Sequence, residues 1–85
     1  MLDDSLKKAQ NVVIGLKQTR RALEKESVAE VYVARDADNR LLRPIMEMCG
    51  NKKIELKEVP SMTELGKACG IKVGAAVAAV LKNRS

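Results

Sequence analysis

The chain has 85 residues, 46% of them hydrophobic and 32% charged, which fits one globular domain and leaves no room for separate catalytic and binding domains. Sixteen Lys and Arg residues against eleven Asp and Glu residues give a net charge of +5, which favours polyanionic partners. Tyr32 is the only aromatic residue, so single-strand platforms that stack bases on rings are disfavoured.

The two cysteines do not form a metal or catalytic pattern. Cys49 and Cys69 stand twenty positions apart and the sequence has no histidine, which excludes zinc-ligand spacing and a Cys/His pair. No apolar run approaches the roughly 20 residues of a membrane span, and the first ten residues do not resemble a signal peptide. We therefore expect a cytoplasmic protein with reduced thiols, no cofactor and no membrane partner. We also expect a monomer.

The first half of the chain predicts two helices and two strands. Residues 2–9 have acidic residues first and lysines last, which suits a short helix. Residues 12–14 are β-branched and end at Gly15, which indicates a short strand and a tight turn. A helix with one apolar face is predicted from residue 16 to about 26, and residues 28–34 predict a strand covered on both faces.

The next helix has a clear start signal and an internal complication. Asp38 or Asn39 can accept backbone N–H groups as its cap, and we expect the helix to end at Gly50 and Asn51. Pro44 requires either a late start near residue 43 or a kink.

The last part predicts two strands around one helix. Residues 54–59 form a strand stopped by Pro60, and Ser61 with Glu64 forms a capping box for a helix through Ala68. Residues 75–81 are small and branched, as in a closely packed final strand. This alternation predicts an α/β fold, a three-layer α/β/α sandwich around a mixed, mostly parallel, four-stranded sheet, with residues 1–85 as one domain.

A first candidate binding segment joins a glycine turn to a basic helix start. Gly15 allows another backbone to approach, and the helix start offers free N–H groups suited to phosphate. Lys17 and Arg21 share a helix face next to Gln18, whose amide can donate to and accept from a base edge. An ordinary solvated helix face after a glycine turn remains the alternative.

A second candidate segment runs from Leu65 to Gly74. It contains three glycines but neither a phosphate-loop nor a dinucleotide motif, so nucleotide binding is disfavoured. Ile71 and Val73 are apolar residues in a glycine-bracketed loop, which indicates either inward packing or contact with a partner.

The stretches GLKQTRRAL, ARDAD and VPSMTELGKACGIKVG occur in this order in the chain. Together they resemble the kink-turn RNA-binding ribosomal-protein family, which includes the archaeal large-subunit protein that is also the core of box C/D guide particles. The small bacterial YbxF-like members are the most similar. The resemblance implies a non-enzymatic, ribosome- or ribonucleoprotein-associated domain that stabilises a kink-turn, a duplex bent at a bulge beside tandem sheared G·A pairs.

The resemblance also implies the first set of site residues. Gly15, Lys17, Gln18 and Arg21 match the family signature that reads the guanines of the G·A pairs and holds phosphates. Lys17 and Gln18 depart from the Asn and Glu of the archaeal and eukaryotic pattern. An amide thus replaces an acid and a positive charge is added.

Two further sets follow from the same resemblance. The segment that lies over the bulge is matched by Ile71, Lys72 and Val73. The pocket for a flipped base is matched by Asp38, Leu42 and Met62, although Met62 replaces a lysine common elsewhere and Asp38 can also serve as a helix cap.

Two rival functions remain from other classes. A protein-interaction module of the same fold, with little RNA affinity, would tend to lose the basic signature that is present here. An enzyme is disfavoured because no phosphate loop and no group poised for acid–base or nucleophilic work is present. The RNA target is left open among ribosomal RNA, a riboswitch and a transfer or messenger RNA leader.

Overall fold

The structure is a computed structural model that describes residues 12–25 and 28–82. The elements in chain order are β1 (Val12–Ile14), α1 (Leu16–Lys25), β2 (Val28–Ala34), α2 (Asn39–Lys52), β3 (Glu55–Val59), α3 (Met62–Ala68) and β4 (Val77–Leu81). The predicted helix over residues 2–9 lies outside the described residues. In the described ranges, no helix is long and apolar enough to cross a membrane.

The four described strands form one mixed sheet in the order β1-β4-β2-β3. β4 runs antiparallel to both neighbours, and β2 and β3 are parallel. The mixed four-stranded sheet is therefore confirmed, but the expectation that it is mostly parallel is wrong for these strands. The apolar runs in the sequence predict that the strands are buried. Burial alone does not determine whether a strand pairs parallel or antiparallel with its neighbour.

Both faces of the sheet are covered. Along β2, Val31 and Val33 pack with α1 and α2, whereas Tyr32 and Ala34 point to the opposite face and pack with α3. This alternation follows from the two-residue period of a strand. The structure confirms the three-layer α/β/α arrangement, with two of the described helices on one face and one on the other.

Helix α2 begins at the predicted cap and ends later than the sequence predicts. It starts directly after its cap Asp38 and continues through Pro44, so the late start is wrong. It also continues past Gly50, and Lys53 takes the left-handed conformation at φ 57° instead. The Lys53 N–H donates to the Cys49 and Gly50 carbonyl groups, which satisfies the open helix end without a glycine.

The other boundaries agree with the sequence within one or two residues. The Ser61 Oγ accepts the Glu64 N–H at 3.2 Å, as the capping box predicted. β3 begins one residue after Ile54, and β4 begins at Val77 rather than Ala75. The edges of these elements are displaced, but their order and type are confirmed.

Candidate nucleic-acid interface

The matched segments lie at one edge of the sheet. β4 runs antiparallel to both β1 and β2, and β3 runs parallel to β2. The C-terminal ends of β1, β2 and β3 therefore lie at the same edge of the sheet as the start of β4. Residues 15–21 follow β1, residues 38–42 follow β2, Met62 follows β3, and residues 71–73 precede β4. Three chain segments and a loop that are distant in sequence are thereby brought to the same side of the molecule.

Gly15 joins this edge to helix α1. Its N–H donates to the Val77 carbonyl at 3.0 Å, and its own carbonyl accepts the Thr19 N–H at 2.9 Å as the first bond of the helix. Its φ of +105° is a conformation that only glycine adopts at little cost. The turn therefore fixes the start of α1 directly against β4.

Gln18 folds back over Gly15. A Cβ built on residue 15 would lie 2.8 Å from the Gln18 Oε1, so the absence of a side chain at Gly15 leaves the space that the amide occupies. Gln18 is exposed. Its amide thus stands at the start of α1 with both a donor and an acceptor that a base edge can use.

Among the described helices, α1 alone begins without an acidic cap. Asp38 caps α2, and Asp36 with Ser61 caps α3, whereas the first turn of α1 has no acidic residue and carries Lys17. A helix N-terminus holds a partial positive charge, which the lysine reinforces. This end of α1 therefore favours phosphate.

The cations of α1 are not equivalent. Arg20 Nε lies 3.5 Å from Glu24 Oε1, so its charge is partly compensated. Within the described part of the chain, no ion pair engages Lys17 or Arg21, and both are exposed. These two residues are four positions apart on the helix and present their charges on one face.

The loop before β4 is held closely against α3. The Ile71 N–H donates to the Gly66 carbonyl and the Ala75 N–H donates to the Met62 carbonyl, both at 3.0 Å. A Cβ at Gly66 would stand 2.1 Å from the Val73 carbonyl oxygen, so the two backbones touch. The loop is therefore an extension of α3 rather than an independent segment.

The loop side chains divide between the two alternatives that the sequence left open. Ile71 is half-buried and packs against the core on the α3 face of the sheet. Val73 is 71% exposed and Lys72 is also exposed. Ile71 thus anchors the loop, and Val73 provides an apolar surface that faces solvent.

The three residues matched to a flipped-base pocket have different environments. The Asp38 Oδ1 accepts the Arg40 N–H at 2.9 Å and caps α2, and Met62 is 37% exposed at the start of α3. Leu42 is only 1% exposed and belongs to the core beneath α1 and α2. Its side chain has no surface to offer a base, which disagrees with the expectation that it lines the pocket directly.

Leu41, next to Leu42, was missed by the sequence analysis. It is 56% exposed and lines an open groove of about 270 Å³ between α1 and α2, together with Leu16, Lys17, Arg20, Pro44 and Ile45. The helical spacing of Leu42, Ile45 and Cys49 already marks the buried face, so Leu41 must lie off it. That spacing was the signal that could have found it.

The described residues offer neither a metal site nor a reactive thiol. No group of three His, Cys, Asp or Glu residues in them could hold a metal ion. Cys49 and Cys69 are free thiols, and burial raises the pKa of each because a desolvated thiolate is unfavourable. Both thiols are therefore protonated at neutral pH.

The fold agrees with one class of protein, the α/β/α domains of the L7Ae-type ribosomal-protein family. A profile of the Ribosomal protein L7Ae/L30e/S12e/Gadd45 family matches residues 2–85. The chain belongs to this family, and the resemblance seen in its sequence motifs is confirmed.

Relatives in other bacteria extend over nearly the whole chain. An RNA-binding protein of Bacillus pumilus is 45% identical over 78 residues, which cover 92% of this chain and 95% of that protein. The RNA-binding protein YbxF of Geobacillus stearothermophilus is 43% identical over 74 residues, which cover 87% of this chain and 90% of that protein. The expected likeness to YbxF-like members is therefore confirmed.

Two solved structures share the fold. A protein of unknown function from Bacillus halodurans superposes with a TM-score of 0.79 at 26% identity, covering 91% of this chain and 77% of that one. The Giardia lamblia 15.5kD RNA binding protein superposes with a TM-score of 0.80 at 24% identity, covering 87% of this chain and 62% of that one. At 24% identity the second likeness establishes the fold alone.

Proposed function

We propose that this protein binds RNA and stabilises kink-turns, in which a duplex bends at a bulge flanked by tandem sheared G·A pairs. The observation that carries the proposal is the convergence of the matched segments at the sheet edge where all three described helices begin. The naming of the Bacillus pumilus and Geobacillus stearothermophilus relatives as RNA-binding proteins supports the same class of partner.

Helix α1 supplies charge and base reading. Lys17 and Arg21 are exposed and, in the described ranges, form no ion pair, so they attract phosphates without first breaking a salt bridge. Gln18 lies over Gly15 and directs its amide to the guanine edges of the G·A pairs. Phosphate contacts position the RNA, and the amide contact specifies it.

The loop supplies an apolar cover for the bulge. Val73 and Lys72 are exposed, and Ile71 holds their loop to the core. Unstacked bases expose apolar ring faces to water, so contact with Val73 offsets part of the cost of opening the stack. Because the loop lies on α3, the RNA meets a surface that is already ordered.

Asp38 and Met62 form the side pocket for a flipped base, with Leu42 supporting it from the core rather than lining it. The function is binding rather than catalysis, without a cofactor. We further propose that the protein acts as a cytoplasmic monomer and associates with the ribosome or another ribonucleoprotein.

A competition experiment tests the proposal. A labelled kink-turn hairpin is bound to the protein and displaced either by an unlabelled kink-turn or by a matched duplex that lacks the bulge and the G·A pairs. We expect the kink-turn to compete far better at moderate salt. Equal competition by both RNAs would contradict kink-turn recognition, and weak binding of both would favour a protein-interaction module of the same fold.

A further inference from the structure

Asp36 occupies a turn that is tied to the sheet on both sides. The Arg35 N–H donates to the Val59 carbonyl at 2.8 Å, and the Ala37 N–H donates to the Ala34 carbonyl at 3.2 Å. The Asp36 backbone therefore has a fixed position at the end of β2, next to the end of β3.

The Asp36 carboxylate bridges this turn to α3. Its Oδ1 accepts the Met62 N–H at 2.8 Å across 26 residues of sequence. Met62 is the first residue of α3, where N–H groups have no partner inside the helix. Ser61 satisfies the Glu64 N–H instead, so the two caps serve different donors.

Met62 in turn holds the loop that we assign to the bulge. Its carbonyl accepts the Ala75 N–H at 3.0 Å, and a Cβ at Gly74 would lie 3.2 Å from the Met62 Cβ. Further along α3, Gly66 accepts the Ile71 N–H and touches the Val73 carbonyl. Helix α3 and residues 71–75 are therefore joined into one packed unit, and the Asp36 carboxylate bonds that unit to the turn after β2.

We propose that Asp36 is a positioning residue for RNA recognition. Its carboxylate sets the orientation of α3 and the attached loop, and with it the distance between Val73 on the bulge and Gln18 on the G·A pairs. It acts through Met62 and contacts no RNA. This inference rests on the proposed function, because the orientation matters only if both surfaces engage one bent RNA.

The negative charge of Asp36 allows a positioning role to be distinguished from a purely electrostatic effect on RNA affinity. An exposed carboxylate near a phosphate-binding surface opposes RNA electrostatically, so its removal alone would tighten the binding of any RNA. If Asp36 is a positioning residue, its removal should instead weaken binding of the kink-turn. The ratio of kink-turn affinity to duplex affinity therefore reports positioning, whereas the affinity for plain duplex reports charge.

The test compares Asp36→Ala with the matched control Ser61→Ala, which removes the other cap of the same helix. We expect Asp36→Ala to lower the kink-turn-to-duplex affinity ratio about tenfold because the loop is no longer held in place, while duplex binding stays equal or tightens. Ser61→Ala should lower thermal stability and keep the ratio. Asp36→Asn, which retains an acceptor oxygen, should give an intermediate ratio and serves if the Ala variant does not fold.

Amide hydrogen exchange tests the same role without RNA. In Asp36→Ala the Met62, Ile71 and Ala75 amides should exchange faster than in the parent, while the amides of α1 keep their rates. The proposal would be overturned if Asp36→Ala kept both the exchange rates of these three amides and the kink-turn-to-duplex affinity ratio of the parent protein. If the parent protein shows no preference for a kink-turn, the proposed function fails, and faster exchange would still establish the link from Asp36 to the loop.

Discussion

The backbone of Val73 rests on Gly66, where a Cβ would stand 2.1 Å from the Val73 carbonyl oxygen. No side chain fits in that space, because real Cβ atoms do not approach an oxygen so closely. The contact lies between α3 and the exposed loop, and it involves backbone on both sides. Neither partner can yield without moving the loop.

Replacement of Gly66 by alanine should therefore both destabilise the protein and displace the loop. We expect Gly66→Ala to lower the free energy of unfolding by about 1–3 kcal/mol, the usual cost of overpacking, and to weaken kink-turn binding. Chemical denaturation measures the first effect and titration the second. Gly50→Ala is the control, since nothing lies within 4 Å of its Cβ in α2, and it should stabilise by about 0.5–1 kcal/mol. Equal behaviour of the two variants would contradict the packing argument.

Gly15→Ala should affect stability through the backbone and recognition through Gln18. The positive φ costs about 1–3 kcal/mol for a residue with a side chain, and Gly70→Ala, with φ +80° and open space, should cost a similar amount. The new Cβ also expels the Gln18 Oε1 from its place. In a double-mutant cycle, Gly15→Ala and Gln18→Ala should then be non-additive in their effect on base discrimination. Strict additivity would mean that Gly15 does not position Gln18.

Lys17 and Gln18 should have separable roles. Lys17→Ala is expected to weaken all RNAs alike and to reduce the slope of log affinity against log salt by about 1. Gln18→Ala should instead cost about 1–3 kcal/mol of discrimination at the G·A pairs and leave the slope unchanged. Lys25→Ala, at the far end of α1, is the matched charge control. If Lys25→Ala changed affinity as much as Lys17→Ala, the interface would not be centred on the start of α1.

Asp38 has a structural role as a cap and a proposed role in the base pocket, which two substitutions distinguish. Asp38→Ala should lower stability by about 1 kcal/mol through loss of the bond from the Arg40 N–H. Asp38→Ser keeps a capping oxygen and should recover most of that stability. If the carboxylate also contacts the flipped base, Asp38→Ser should still bind the kink-turn more weakly than the parent. Parent affinity in the serine variant would assign Asp38 to capping alone.

The sequence predicted those features that follow from local chemistry. The Ser61 cap, the glycine turn at Gly15 and the two-faced burial of β2 were confirmed because each depends on a few neighbouring residues. The antiparallel entry of β4 and the left-handed end of α2 at Lys53 depend on tertiary contacts, which override weak local preferences.

The site was harder to predict than the fold. The burial of Leu42 and the exposure of Leu41 follow from the helical face of α2, which the motif match did not use. The link from Asp36 to Met62 spans 26 residues and leaves no periodic trace in the sequence. Motif resemblance therefore indicated a candidate surface, and only the structure separated the residues that face solvent from those that support them.

Energy transfer across a kink-turn hairpin labelled at both ends, in buffer without divalent ions, tests the central claim most directly. We predict that adding the protein raises energy transfer to saturation at one protein per RNA, because binding to residues 15–21 and 71–73 together stabilises the bend. A duplex without the bulge and G·A pairs should show no rise. Tight binding of the hairpin with unchanged energy transfer, or the same rise for both RNAs, would contradict it.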